Sequence, residues 1–246
     1  MVLGIDIGAN YTKGVLISSG RIAGKAIVKT AFQPKRAIAT IKEILTGYEK
    51  IVATGYGREL VTDADLTVTE ITAFARGAYF LNPEVKTIID IGGQDSKVIK
   101  VKGGKPERFV MNDRCAAGTG NFIEKIAQAL NLSLKEFGNL AVASHQPALI
   151  DSLCVVMAET EILSLVAEGR RIEDITAGVC NAVMRRILGI TGTIEVEPPI
   201  LFAGGGALNP GLVKAAKQIF GEIIVPESPQ FLGALGAALI GEKKHQ

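Results

Sequence analysis

"DIGANYTKGVLISSGR" (residues 6–21) and "DIGGQDSKVIKVKGGK" (residues 90–105) are nearly one stretch written twice. Asp6, Ile7, Gly8, Lys13 and Gly20 recur as Asp90, Ile91, Gly92, Lys97 and Gly104, at a constant offset of 84. The exchanges between the copies are mild: Asn10 for Gln94, Thr12 for Ser96, Val15 for Ile99, Arg21 for Lys105. In the first copy an apolar run, Val2–Ile7, turns at Gly and Asn into Thr12–Ser18, and a third run, Ile22–Val28, comes next. This pattern predicts a three-stranded meander with short turns, and "KTIIDI", "SKVIKV" and "ERFVMN" predict a second.

Helical periods come after each meander. "PKRAIATIKEIL" and "TEITAFARGAYFL" flank a strand, "KIVATG", after the first. "TGNFIEKIAQALNL", "SLKEFGNLAVAS", "AETEILSLVAEG" and "IEDITAGVCNAVMRRILGI" come after the second. A strand "PILFAGGG", a helix from Pro210, a strand "EIIVPE" and a helix "PQFLGALGAALIG" complete the series. Meanders succeeded by alternating helices and strands indicate an α/β fold with a mixed sheet, built twice. The turn-rich "LNPEVK" at 81–86 marks the boundary. Residues 1–84 form the expected first domain, with the C-terminal helix 229–246 as a candidate to complete it, and 85–228 form the second.

The 246 residues are 48% hydrophobic and 21% charged, a globular composition. Twenty-seven basic residues against 25 acidic leave a net charge of +2, without a long basic block. That argues against nucleic acid or an anionic membrane as the main partner. No apolar run reaches the roughly 18 residues of a membrane span. "MVLGIDIGAN" carries no basic n-region, so no signal peptide is expected. Three cysteines, an odd number, suit a reducing cytoplasm better than a disulfide framework.

A glycine-rich strand–turn–strand connection presents consecutive backbone N–H groups in a concave nest, which is an anion site. Thr12 and Ser96 add hydroxyls, and Lys13 and Lys97 add positive charge. Asp6 and Asp90, at the strand ends, are carboxylates suited to hold a hydrated magnesium ion between them. One Asp-x-Gly turn is as easily an ordinary turn. Two, with matched Lys and Ser/Thr, favour a clamp on the phosphates of one nucleotide. The usual nucleotide motifs are missing: "GRIAGKA" (20–26) has three residues between its glycines and Ala26 for Ser or Thr. "GYGREL" (55–60) has Leu60 at the third glycine, so both read as plain turns. "FAGGGALNPG" (202–211), between a strand and a helix, lets bare backbone lie against a sugar and base, or is an ordinary glycine-rich turn.

Cys115 in "NDRCAAGTGNFIEKIA" and Cys154 in "IDSLCVVMAETEILSLVAEG" each stand just ahead of a helical period. The positive end of a helix dipole there favours thiolate. Two thiolates do not complete a four-cysteine iron–sulfur site, whereas two chains giving two each would. On chemistry alone, buried structural cysteines are the commoner reading. Cys180, on the apolar period of "ITAGVCNAVMRRIL", reads as core. His145 and His245 read as solvated, and Glu159 and Glu161 as carboxylates at a helix start. The arginine pairs at 170–171 and 185–186 read as helix-surface charge or part of a docking face.

Taken together, the turns at 6–13 and 90–97, "FAGGGALN" and the later "GALGAAL" resemble the actin, hexokinase and sugar-kinase ATPase superfamily. The resemblance implies two ribonuclease-H-like domains with ATP in the interdomain cleft, each repeat being the first hairpin of one domain. "TGYGR", "DIGGQDSKV", "MNDRCAAGTGNF" and "C-x-x-x-AE-x-E" are similar, in order and spacing, to the activator components of 2-hydroxyacyl-CoA dehydratases and benzoyl-CoA-reductase-type enzymes. This second likeness implies an oxygen-sensitive, homodimeric ATPase with one bridging 4Fe–4S cluster, for which Cys115 and Cys154 match the ligand positions. Low-potential electrons would come from ferredoxin or flavodoxin and pass to a second iron–sulfur protein.

For ATP or ADP with Mg2+, the resemblance implies Asp6, Asp90 and Gln94 as catalytic residues. Gly8, Asn10, Tyr11, Thr12 and Lys13 are the first set of nucleotide contacts, and Gly92, Gly93, Asp95 and Lys97 the second. Gly204, Gly205, Gly206, Ala207 and Asn209 are expected at the adenosine, with Gly118 and Gln230 completing the set. Ala9-Asn10 stand where the family usually has Ser-Thr, and "CVVMAETE" where "CTVFAESE" is commoner. The partner stays open between a dehydratase, an aryl-CoA reductase and a double-cubane cluster protein. The runner-up is a small-molecule kinase of the same superfamily, which needs an acceptor pocket and catalytic base that this compact chain has little room for.

Overall fold

The first sheet is an antiparallel meander extended by two parallel strands. In the computed structural model, which describes residues 1–152 and 154–242, the meander is β1 (Val2–Ile7), β2 (Tyr11–Ser18) and β3 (Arg21–Lys29). β4 (Lys50–Thr54) and the short β5 (Leu66–Thr67) join it in the order β3-β2-β1-β4-β5. β5 has only two residues, too few for any period to announce it. Every residue of β1 is buried, as a strand covered on both faces must be. Because side chains alternate along a strand, Leu3, Ile5 and Ile7 pack with Ile38 and Ile41 of α1 (Pro34–Ile44), while Val2 packs with Leu235 and Leu239 of α8 (Leu232–Glu242). Truncating Ile5 to Ala would cost about 2–5 kcal/mol by opening a cavity in this layer.

The small residues of "GALGAAL" have a packing reason. Gly4 of β1 lies so close to α8 that a Cβ would meet Ala234 O and the backbone N of Ala238. Gly77 of α2 (Glu70–Leu81) is crowded in the same way: a Cβ there would come 2.6 Å from Leu232 O. The helix expected over 229–246 divides into a single 3-10 turn, Pro229–Phe231, and α8; residues 243–246, with His245, lie outside the described residues.

The second sheet repeats the topology of the first. β6 (Thr87–Ile91), β7 (Ser96–Lys102) and β8 (Lys105–Asn112) are the second meander, and β9 (Ile200–Ala203) and β10 (Ile223–Ile224) complete the order β10-β9-β6-β7-β8. β6 stands in the place of β1 and β9 in that of β4. The duplication therefore covers a whole sheet and not only a hairpin. α3 (Gly120–Ala129), α4 (Leu134–Ala143), α5 (Val155–Ala167), α6 (Ile172–Ile190) and α7 (Pro210–Phe220) accompany it, around a core that includes Phe122, Phe137, Val183 and Phe202. α4 begins with a reciprocal Ser133–Glu136 capping box. By contact the chain groups into one unit of 1–88, 99–108 and the residues from Pro226, and another of 89–98 and 109–225. Among the described residues no helix is long and apolar enough to cross a membrane.

Candidate functional site

In the first turn, Asp6 is buried at the end of β1 and accepts from Lys13 Nζ at 3.3 Å through Oδ2. Its Oδ1 is buried and has no hydrogen-bond donor among the described residues. Gly8 N–H donates to Tyr11 O at 3.2 Å and closes the turn. Thr30 Oγ1 donates to Gly8 O, so the hydrogen between the Thr30 and Thr12 hydroxyls, 2.9 Å apart, comes from Thr12. Thr12 is wholly buried. Its hydroxyl braces the turn and does not stand open as the donor its residue type suggested. Asn10 is partly buried, its carbonyl accepts from Thr30 N at 2.9 Å, and Tyr11 is exposed.

The second turn is built alike: Gly92 N–H donates to Asp95 O at 2.9 Å. Lys97 is buried and bonds Asp90 Oδ2 at 3.3 Å and Asp95 Oδ1 at 2.8 Å. A lysine so enclosed is tolerated because carboxylates surround it. Gln94 stands exposed, Gly93 is partly buried, and Ser96 is buried like its counterpart Thr12. The carbonyls of Gly92 and Gly93 accept the N–H groups of Gly120 and Asn121, each at 2.8 Å. The second turn is therefore fastened to the first turn of α3.

A glycine loop lies against each aspartate. Gly204, at φ +81°, is stacked on Asp90 Oδ1 and Ile91 O, and Gly206 on Ile91. Gly55, at φ +88°, is stacked on Asp6 Oδ1 and Ile7 O, and Gly57 on Ile7. "TGYG" (54–57) is thus the counterpart of "AGGG" (203–206), which the plain-turn reading of the first stretch missed. The available signal was Gly-x-Gly directly after the parallel strand in both halves. Any Cβ at Gly55 or Gly204 meets carboxylate and carbonyl oxygens, and positive φ disfavours one anyway. Beyond Gly204, a Cβ on Gly205 would find open space, Ala207 is buried, and Asn209 caps α7 by accepting from Gly211 N and Leu212 N. Gln230 has a buried Oε1 with no partner among the described residues.

Cys115 and Cys154 are both exposed free thiols, and the helices downstream of them, α3 and α5, pack on one another. Cys154 is the N-cap of α5, as its position before the period suggested. α3 begins at Gly120, with Thr119 as N-cap, where its period placed it, so Cys115 stands outside the first turn. A dipole acts over the first turn only, so it bears on Cys154 more than on Cys115. Gly118, between Cys115 and α3, has φ +82° and packs on Arg186 Cγ. Cys180 is core, as expected, and burial pushes its thiol up to about 12. Glu161 is not at a helix start but in the second turn of α5. It accepts the N–H groups of Asp151 and Ser152, each at 2.9 Å, and so pins the segment before Cys154. Burial alone would raise its carboxyl, but those two bonds outweigh it and hold Glu161 below the usual carboxylate range. Arg185 adds a bond to Ile150 O at 2.7 Å, and His145 is exposed.

Each half of the chain thus pairs an Asp–Lys hairpin turn with a glycine loop that lies on its aspartate. The chain belongs to the BadF/BadG/BcrA/BcrD ATPase family. The family model matches residues 3–241. The chain is 40% identical over 247 residues to the 2-hydroxyisocaproyl-CoA dehydratase activator of Clostridioides difficile, covering 96% of this chain and 93% of that one. Component A of Acidaminococcus fermentans (R)-2-hydroxyglutaryl-CoA dehydratase superposes with a TM-score of 0.93 at 36% identity, over 99% of this chain and 98% of that one. The activator of the 2-hydroxyisocaproyl-CoA dehydratase from Clostridium difficile, solved with bound ADPNP, gives 0.91 at 39% identity, over 99% and 96%. A ROK family glucokinase from Streptomyces griseus, at 14% identity and 0.55, shares the fold alone. This ATPase has the actin-like architecture of two ribonuclease-H-like domains that its repeat announced.

Proposed function

We propose that this ATPase is an ATP-dependent electron-transfer activator, a homodimer in which Cys115 and Cys154 of each chain hold one bridging 4Fe–4S cluster. The observation that carries the reading is the pair of hydrogen bonds from Gly120 and Asn121 to the Gly92 and Gly93 carbonyls. They connect a phosphate turn directly to the segment bearing Cys115. A change in that turn on binding or hydrolysing ATP is passed to the start of α3 and from there to the loop of the cysteine.

The residues fit such a group. Each chain offers two exposed, unpaired thiols ahead of two helices in contact, while Cys180 is closed to any ligand role by burial. Val156, Met157 and Leu163 of α5 are exposed, Val156 by 71%, on the helix that Cys154 caps, which supports the homodimer reading. Apolar side chains so placed are covered in a stable assembly. The cluster, when bound, supplies a one-electron carrier of low potential, tuned by its surroundings.

The chain's own residues divide the work on ATP. Lys13 and the backbone N–H groups around Gly8, Asn10 and Tyr11 bind phosphate oxygens. Asp6 and Asp90 are the carboxylates for hydrated Mg2+, and exposed Gln94 orients the attacking water. Gly92, Gly93, Asp95 and Lys97 shape the second turn, and Lys97 acts mainly by holding Asp90 and Asp95 in place. Gly204, Gly205, Gly206 and Ala207 face the adenosine, with Asn209 ordering the helix behind them and Gln230 and Gly118 contributing further contacts. Residues 1–84 with the C-terminal helix form one functional domain and 85–228 the other. The electron acceptor is an iron–sulfur enzyme of the 2-hydroxyacyl-CoA dehydratase, benzoyl-CoA reductase or double-cubane type, and ferredoxin or flavodoxin is the donor in a reducing cytoplasm.

Anaerobic purification, with iron and sulfide counted per dimer and a visible spectrum, tests the reading. Cys115→Ser and Cys154→Ser are expected to be colourless, and Cys180→Ser as brown as the parent. Full loading in either of the first two would sink the ligand assignment.

A further inference from the structure

Asn112 is the last residue of β8 and lies three residues before Cys115. It is 8% exposed, among the few buried polar side chains of the chain. Its amide nitrogen donates to Cys115 O at 2.9 Å and to Ala117 O at 2.6 Å. A primary amide has two N–H groups, and here both are used, on two carbonyls of one short segment. The chain from 112 to 117 thus folds around a single side chain, which fixes the Cys115 carbonyl and leaves the thiol outward.

The rest of the segment is locked from the other end. Ala116 O accepts from Thr119 N at 3.0 Å and from Thr119 Oγ1 at 2.7 Å. Gly118 takes the positive φ, and α3 is tied to Gly92 and Gly93. Within the stretch containing Cys115, the Cys115 and Ala117 carbonyls take their bonds from the Asn112 side chain. A buried amide whose donors are both satisfied is worth more than its volume, because carbonyls left without donors in the protein interior are destabilising.

We propose that Asn112 is a positioning residue for the metal site: its two N–H groups hold the Cys115 backbone in the ligating arrangement before any cluster arrives. This rests on the reading of Cys115 as a cluster ligand. Aspartate is the informative substitution, because it keeps the shape, loses both donors and puts one carboxylate oxygen, in place of Nδ2, against both carbonyls. Alanine also loses the donors, yet leaves room for a water to replace them. A residue that merely filled space would show alanine worse than aspartate. A residue that works by donating shows aspartate at least as damaging as alanine.

The test uses the full chain, in two arms. In reconstituted protein, iron release to a chelator is tracked under anaerobic conditions. Asn112→Asp is expected to lose iron at least about tenfold faster than the parent, and Asn112→Ala by a smaller factor. In cluster-free protein, amide hydrogen exchange over residues 115–119 is expected to accelerate in the same order, while Cys180 stays protected from alkylation. Parent-like iron release and exchange in Asn112→Asp would overturn the proposal, as would alanine being the worse of the two. If Cys180 becomes reactive in Asn112→Asp, Asn112→Ala decides: native Cys180 protection with parent-like iron release overturns it, and faster release supports it. A parent protein that binds neither iron nor sulfide would remove the cluster reading itself, a result distinct from any difference between the variants.

Discussion

The two Asp–Lys turns are built alike and differ in what their lysines and carbonyls are bonded to. Lys13 meets one carboxylate, Asp6, and its side chain is 17% exposed; Lys97 meets two, Asp90 and Asp95, and is 1% exposed. Asp95 in the second turn stands where the first has Tyr11. Lys13 thus stays partly open to solvent, while Lys97 is enclosed with Asp90 and Asp95. The carbonyls diverge as well. Gly8 O and Asn10 O accept from Thr30, at the end of their own meander. Gly92 O and Gly93 O accept from the start of α3, beyond Cys115. The first turn is braced on its own meander, and the second is fastened to the start of α3.

The comparison can be broken most directly at Asp90. Asp90→Asn is expected to slow ATP hydrolysis by roughly a hundredfold, the scale of losing a positioned acid–base or metal-orienting group. The fold should survive, since Asp95 still pairs with Lys97. Steady-state phosphate release with circular dichroism checks both, and near-normal turnover would make the second turn a structural copy.

The lysines give the next contrast. Lys97→Ala removes the buried cation that answers Asp90 and Asp95, and is expected to destabilise the protein by about 3–5 kcal/mol in denaturant unfolding. Lys13→Ala should lose much less stability but raise the Kd for ATP about tenfold, or ~1.4 kcal/mol. Equal stability losses would mean that the two turns are electrostatically alike after all.

Gly120→Ala addresses the fastening. A Cβ there comes 3.0 Å from Gly92 O and 3.3 Å from Gly93 Cα, so the contact must spread. Hydrolysis is expected to stay within severalfold of the parent, while the difference in chelator access to iron between ADP-bound and ADPNP-bound states disappears. An unchanged nucleotide dependence would break the coupling route. The smallest effect is expected at Thr30→Val, which removes the donor to Gly8 O and should cost about 1 kcal/mol of stability, the net worth of one hydrogen bond.

By itself the sequence determined that an Asp-led, lysine-bearing hairpin occurs twice, that mixed sheets with helices accompany each copy, and that Cys180 is core while Cys115 and Cys154 stand apart. Those features live in windows of a dozen residues, where apolar period and turn chemistry act locally. Only the tertiary structure decided that "TGYG" is the counterpart of "AGGG", because the equivalence lies in which aspartate each loop covers. It alone showed Thr12 braced by Thr30, eighteen residues on, and Glu161 holding backbone N–H groups ten and nine residues earlier. It also gave Asn112 the loop of Cys115 to hold. Hydrogen bonds of this kind depend on where folding brings a donor and an acceptor, and their energy carries no period along the chain.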